Sequence, residues 1–207
     1  MPEIAPGAFH FAAFLDQCAQ ASLAEEIAEV IAAAPLYVST MPKTGAPMSV
    51  RMTNCGALGW LSDKARSYRY EPRHPETDDP WPAIPPRLLR LWNDLTHYPK
   101  PPEACLVNVY DSAARMGLHQ DKDEADLAAP ILSLSLGADC RFRLGGTRRG
   151  DRAIAFALSS GDALVLSGPA RMRYHGVDRI LPTVGAPLPA ALAAFGARVN
   201  LTLRRVT

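Results

Sequence analysis

At 207 residues, with 48% hydrophobic and 21% charged residues, the chain can fold as one large domain around a hydrophobic interior and has an ordinary globular composition. A formal net charge of +1 excludes a global electrostatic pull towards nucleic acid or membrane, so any basic surface must be local. Four cysteines without a CxxC pair exclude a zinc ribbon; with no Lys or Arg before Lys43 and no apolar run of roughly 18 residues, the expectation is a reduced, cytoplasmic protein with no secretory signal and no membrane contact.

Along the chain, Ser22–x–x–Glu25 reads as a capping box opening a helix whose apolar face is Leu23, Ile27, Val30 and Ile31, with Pro35 closing it. A second helix follows Pro86, striped by Leu88, Leu91, Trp92 and Leu95. Between them, "MTNCGALGWLSDKARSYRYEPRHPETDDPWPAIPP" predicts irregular structure, and six prolines in residues 72–87 rule out a regular central strand there. Its aromatics, Trp60, Tyr68, Tyr70 and Trp81, suit either a recognition lid or a packed surface loop. From residue 104 the texture changes to short strands at regular intervals: "CLVNVY", "ILSLSLG", "CRFRLGG", "IAFAL", "ALVLSG", "RMRYHGV" and "ARVNLTLRRV". These predict a mainly β fold, a sandwich or jelly roll, within a single domain: residues 1–103 form an N-terminal helical and loop elaboration and residues 104–207 the core.

Candidate chemistry begins at "HQDKDEAD", which puts His119, Asp121, Asp123, Glu124 and Asp126 into eight residues. A calcium loop from Asp121 fails, because its fifth position is Ala125 and its sixth is Asp126 rather than Gly. What remains is His119–x–Asp121, whose side chains share a face in an extended segment, or else a solvated acidic loop. His175, with Gly176 leaving room beside it, supplies a third ligand. Two histidines and a carboxylate make the facial triad of non-haem iron(II), and a zinc hydrolase can use the same set. The last strand separates them. Arg198, Asn200, Thr202 and Arg204 fall on one face and Val199, Leu201 and Leu203 on the other. A pattern Arg–x–Asn–x–Thr–x–Arg arises by chance in about one chain in a thousand of this composition. Two arginines flanking an amide make a fork for a small dicarboxylate, and Asn108 and Tyr110 share a face on "CLVNVY". An oxygenase drawing electrons from a keto-acid wants this arrangement; a hydrolase does not. Five arginines between residues 141 and 152 suit either phosphate contact or a solvated hairpin.

In this order, and with "MTNCGALGW", "PWPAIP", "APILSLSLG" and "YHG", the chain resembles the AlkB family of iron(II)/2-oxoglutarate dioxygenases over most of its length. The resemblance implies a double-stranded β-helix (jelly roll) under an N-terminal nucleotide-recognition lid. It implies oxidative demethylation of N-alkylated bases in DNA or RNA, with Fe(2+), 2-oxoglutarate and O2, by a monomer. Iron would be held by His119, Asp121 and His175, and 2-oxoglutarate by Asn108, Val109, Tyr110, Arg198, Asn200 and Arg204. Trp60, Tyr68, Arg69, Tyr70, Asp123 and Arg149 would meet the nucleotide. Leu166 stands where bacterial members carry Trp. Two alternatives remain: a dioxygenase of a protein side chain or small metabolite, which does not need the lid aromatics, and a non-catalytic β-barrel, which does not need the triad.

Overall fold

The computed structural model describes residues 3–207, at 182–184 for the backbone alone. The larger sheet is antiparallel. In spatial order it holds β1 (Glu3–Ala5), β2 (Ala8–Phe11), β10 (Ala163–Leu166), β8 (Ile131–Leu144), β12 (Arg198–Arg204), β6 (Ala104–Tyr110) and β3 (Arg51–Gly56). A smaller sheet is formed by β7 (Met116–His119), β11 (His175–Gly185), the far half of β8 and β9 (Ile154–Leu158). The two sheets make the jelly roll, and β8 belongs to both: its first half pairs with β12 and its second with β11.

"ILSLSLG" and "CRFRLGG" are therefore one bent strand rather than two. The bend falls at Gly137, where φ is +87° and a Cβ would lie 2.6 Å from the Ala197 carbonyl oxygen. Glycine reaches that backbone region without strain, so the chain turns from one sheet into the other while ladder pairing continues on both sides.

Strand alternation sets which face does what. Val107, Val109, Leu132, Leu134, Leu136, Val199, Leu201 and Leu203 point outward and pack against helix α1 (Gln17–Ala33) and helix α2 (Pro86–Thr96). Burying each such side chain is worth about 1.5–3 kcal/mol, which anchors the register of β12 between β6 and β8. The helix faces are as expected: Leu23, Ile27, Val30 and Ile31 are buried, as are Leu88 and Trp92, with Leu91 and Leu95 packed beside them. The start of α1 is not. Asp16, not Ser22, is the N-cap, its Oδ1 accepting from the Ala19 N–H at 2.8 Å. The alanine-rich turn after Asp16 propagates helix as readily as the one after Ser22, so the earlier cap prevails.

The middle stretch departs most from expectation. β3 is a regular strand on the sheet edge, paired with β6, and β4 (Gly59–Asp63) with β5 (Ser67–Glu71) forms a separate hairpin. Irregular structure is confined to the proline-rich part, where the pairing is a single bridge between Arg73 and Pro80. The hairpin turn closes through Ser67 at φ 61° instead of an Asn-Gly pair, so the usual signal is missing. "RMRYHGV" is strand only from His175. Because β1, β2 and β3 are built into the core sheet, the change of texture at residue 104 is not a boundary within it. Among the described residues no helix is long and apolar enough to cross a membrane.

Candidate active site

The register of β7 against β11 sets His119 directly opposite His175. Gly176 allows that closeness, since a Cβ there would sit 2.5 Å from the Met116 carbonyl oxygen and 2.7 Å from that of Gly117. The two imidazole centroids are 4.6 Å apart, and Asp121, two residues past the end of β7, turns between them. One donor atom from each of His119, Asp121 and His175 lies within 4.8 Å of the others.

Each ring is oriented by a main-chain carbonyl. His119 Nδ1 donates to Gly117 O at 2.9 Å and His175 Nδ1 to Arg173 O at 3.0 Å. A carbonyl only accepts, so the proton sits on Nδ1 and the Nε2 lone pair is free. Both Nε2 atoms face the Asp121 carboxylate, at 3.5 and 3.4 Å, whose buried Oδ2 has no hydrogen-bond partner. Three lone-pair donors turned on one another are unfavourable without a cation, and two nitrogens with one oxygen suit iron(II). The charge state of Asp121 fits as well. Burial alone would raise the Asp121 pKa, but the Arg204 guanidinium and His175 hold it well below the usual carboxylate range. Burial alone would lower that of His119, but Asp121 outweighs it and raises it, so a proton competes with a metal ion for the His119 Nε2.

Behind the triad, the inner faces of β12, β6 and β8 line a cavity of about 1140 Å³ that also contains His119, Asp121 and His175. Arg198, Asn200, Thr202, Arg204, Asn108 and Tyr110 all reach it. Val109 does not; its neighbours in sequence point inward, so the period of two sends it to the helix-covered face. The arginines are not a free fork. Arg198 donates through Nη1 to the carbonyls of Ala138 and Leu158, at 2.9 and 3.0 Å, and through Nη2 to Ser135 Oγ at 2.5 Å. Arg204 binds Asp121 Oδ1 through Nη2 at 2.7 Å and Glu124 Oε1 through Nη1 at 3.0 Å. What each arginine leaves without a partner is a buried Nε, and Asn108 Oδ1 is likewise unpartnered. Asn200 is occupied by Ser133 Oγ at 2.7 Å and Leu134 O at 3.0 Å. Part of the wall is apolar, formed by Ile131, Phe142, Leu158, Leu164 and Leu166.

The hairpin β4–β5 closes one side of this cavity. Trp60 and Tyr70 are cross-strand partners, and with Tyr68 they occupy one face. Trp60 Nε1 donates to Asp123 Oδ2 at 2.9 Å, and its ring stacks on Tyr68 with centroids 5.5 Å apart and planes 23° from parallel. Trp60, Tyr68 and Asp123 line the cavity, as does Arg149, whose guanidinium lies 5.7 Å above the Tyr174 ring. Arg69 is on the opposite face of the hairpin, paired with Asp63 at 2.7 Å and Glu71 at 3.0 Å, so it is turned away from the cavity. Tyr70 reaches past the cavity wall to Glu124 and Arg204.

Residues 7–204 match the model of the 2OG-Fe(II) oxygenase superfamily. The chain belongs to this superfamily. It is an iron(II)/2-oxoglutarate-dependent dioxygenase whose co-substrates are 2-oxoglutarate and O2. The oxygenase is 50% identical to the alpha-ketoglutarate-dependent dioxygenase AlkB homolog of Caulobacter vibrioides over 202 residues, 98% of this chain and 89% of the relative. It is 33% identical to the human nucleic acid dioxygenase ALKBH1 over 132 residues, 50% of this chain and 34% of the relative. The structure of OsALKBH1 superposes with a TM-score of 0.82 at 27% identity, covering 98% of both chains.

Two buried residues behind the oxygenase site, Glu124 and Arg171, have no role assigned from the sequence. Glu124 is buried and receives Arg204, Arg171 and Tyr70. Arg171 spans the acidic loop from below: Nε donates to Ala129 O at 2.8 Å, Nη1 to the Asp121 carbonyl at 2.5 Å, and Nη2 to Glu124 Oε2 at 2.9 Å. A strut from four residues before His175 thus holds the main chain of Asp121. The one sequence signal for it is an arginine in the segment leading to a ligand, which is too common to single out.

Proposed function

We propose that the oxygenase removes N-alkyl groups from nucleobases of the 1-methyladenine and 3-methylcytosine type in DNA or RNA, repairing alkylation damage by direct reversal. The observation that carries this reading is the Trp60–Tyr68 stack bonded to Asp123 on the wall of the cavity that holds the triad. Methylation at N1 of adenine or N3 of cytosine fixes a positive charge on a base that is otherwise neutral. A carboxylate beside an aromatic face favours the charged lesion over its parent. The name of the human relative, a nucleic acid dioxygenase, supports the same substrate class.

In this reading His119, Asp121 and His175 hold iron, and Asn108, Tyr110, Arg198, Asn200 and Arg204 receive 2-oxoglutarate. Iron(II) with 2-oxoglutarate and O2 supplies the oxidation, one oxygen atom entering the methyl group and the other succinate as CO2 leaves, after which the N-hydroxymethyl group collapses to formaldehyde and the restored base. The chain's own residues position and shelter. Arg204 keeps Asp121 anionic and fixes its orientation. The apolar part of the wall excludes water around the keto-acid. The hairpin supplies the stacking surface for a base that is flipped or already unpaired, and exposed Lys43, Arg115 and Arg149 along the cavity suit phosphate contact. We further read the protein as a cytoplasmic monomer, a reducing setting suiting its four free cysteines.

The test loads the protein anaerobically with iron(II) and 2-oxoglutarate, then admits oxygen with a panel of methylated oligonucleotides. Formaldehyde and succinate in equal amounts are expected from the cationic lesions. Succinate without formaldehyde across the whole panel would assign the site to a protein or metabolite substrate instead.

A further inference from the structure

The hairpin rests on the acidic loop through two consecutive carboxylates. Its cross-strand partners Trp60 and Tyr70 bond Asp123 and Glu124, at 2.9 and 2.5 Å. From Glu124 the contact continues inward. Arg204 Nη1 is 3.0 Å from Glu124 Oε1 and 3.1 Å from the Tyr70 hydroxyl, while its Nη2 is 2.7 Å from Asp121 Oδ1. The Glu124 side chain is wholly buried, and its other oxygen is fixed by Arg171. Glu124 does not line the cavity and supplies none of the three donor atoms, yet it holds both arginines that bond Asp121, Arg204 on the carboxylate and Arg171 on the carbonyl.

We propose that Glu124 is a positioning residue that couples the seating of the β4–β5 hairpin to the orientation of the Asp121 carboxylate, so that metal binding and hairpin ordering are linked. Side chains in one hydrogen-bonded chain in a dry interior move together, because moving one leaves a buried charge unpaired. Linkage is reciprocal: if a metal at the triad favours the seated hairpin, the seated hairpin strengthens metal binding by the same factor. The site would then be complete when the surface that receives the base is in place.

The inference rests on the iron-site reading above, and the experiment separates the two. Mn(II) serves as a redox-inert probe, and amide hydrogen exchange of residues 59–71 reports the hairpin. In the parent protein Mn(II) is expected to slow this exchange roughly tenfold, within the usual range of coupling between sites. Tyr70→Phe removes only the hydroxyl that joins hairpin to Glu124 and leaves the aromatic packing. It should abolish the metal response of the hairpin and weaken Mn(II) binding by up to the same factor. Glu124→Gln should do likewise, and thermal melts identify any loss of fold. A merely structural role would raise hairpin exchange equally with and without metal; an undiminished Mn(II) response in Tyr70→Phe therefore overturns the coupling. If the parent binds Mn(II) but its hairpin ignores the metal, the coupling alone fails. If the parent does not bind Mn(II), the metal-site reading fails first.

Discussion

The triad wall and the hairpin face each other across one cavity, but they are held in different ways. His119 and His175 are fixed by a strand register, a glycine that permits close approach, and a carbonyl behind each ring. Arg198 and Arg204 stand on a strand paired along its whole length on both sides. The strands of the hairpin pair only with each other. The first of them is held to the core by Asn54 and Tyr37 on the Trp60 main chain and by the Thr40 N–H on Ser62 O. The aromatic face of the hairpin meets the acidic loop through side chains alone, Trp60 on Asp123 and Tyr70 on Glu124. Each such bond to a carboxylate is worth about 1.5–3 kcal/mol, far less than a buried sheet. The contrast suits the division of labour. Metal geometry must be set within fractions of an ångström before anything binds, whereas a substrate wall has to admit a large ligand and close on it.

Substitutions on the two sides test that contrast. The largest effect is expected for His119→Ala. Its side chain is about one-third exposed, so the melting temperature should hardly move, while turnover and iron binding fall to background. Full activity in this variant would remove the triad from the chemistry.

The arginines come next and should part company. Losing a charge-assisted hydrogen bond should raise the 2-oxoglutarate requirement roughly ten- to hundredfold in both Arg198→Ala and Arg204→Ala. Of these two only Arg204→Ala should also weaken Mn(II) binding, because Arg204 bonds the Asp121 carboxylate and Arg198 does not. Equal effects on the metal would show that the Asp121–Arg204 contact does not orient the ligand.

On the hairpin side, Asp123→Asn keeps shape and removes charge. The ratio of demethylation rates for a cationic over a neutral lesion should drop about tenfold, the size of one modest electrostatic contact. An unchanged ratio would assign Asp123 to holding Trp60 and nothing more.

The smallest effect is on acid stability. Burial alone would raise the Glu124 pKa, but Arg204, the Tyr70 hydroxyl and Arg171 outweigh it and lower the folded value. A carboxyl with a depressed folded pKa contributes stability that is present above its unfolded value, about 4.3, and is lost as pH falls through the folded one. The melting temperature of the parent should therefore decline more steeply below about pH 4 than that of Glu124→Gln. Parallel curves would mean that Glu124 carries no net charge stabilisation.

What the sequence alone determined was whatever depends on local period. Alternation along "ARVNLTLRR" placed Arg198, Asn200, Thr202 and Arg204 on one face, and His119–x–Asp121 with His175 marked the donor set, because a strand's two faces are decided by neighbours two residues apart. Alternation would equally have excluded Val109 and, had β5 been foreseen, Arg69. Only the tertiary structure decided what saturates the arginines. Arg204 meets Asp121 across 83 residues and Tyr70 across 134, and Arg171 meets the Asp121 carbonyl across 50. A charged side chain shows in the sequence that it needs a partner; which partner it finds is fixed when the sheets close and the remaining choices are desolvated.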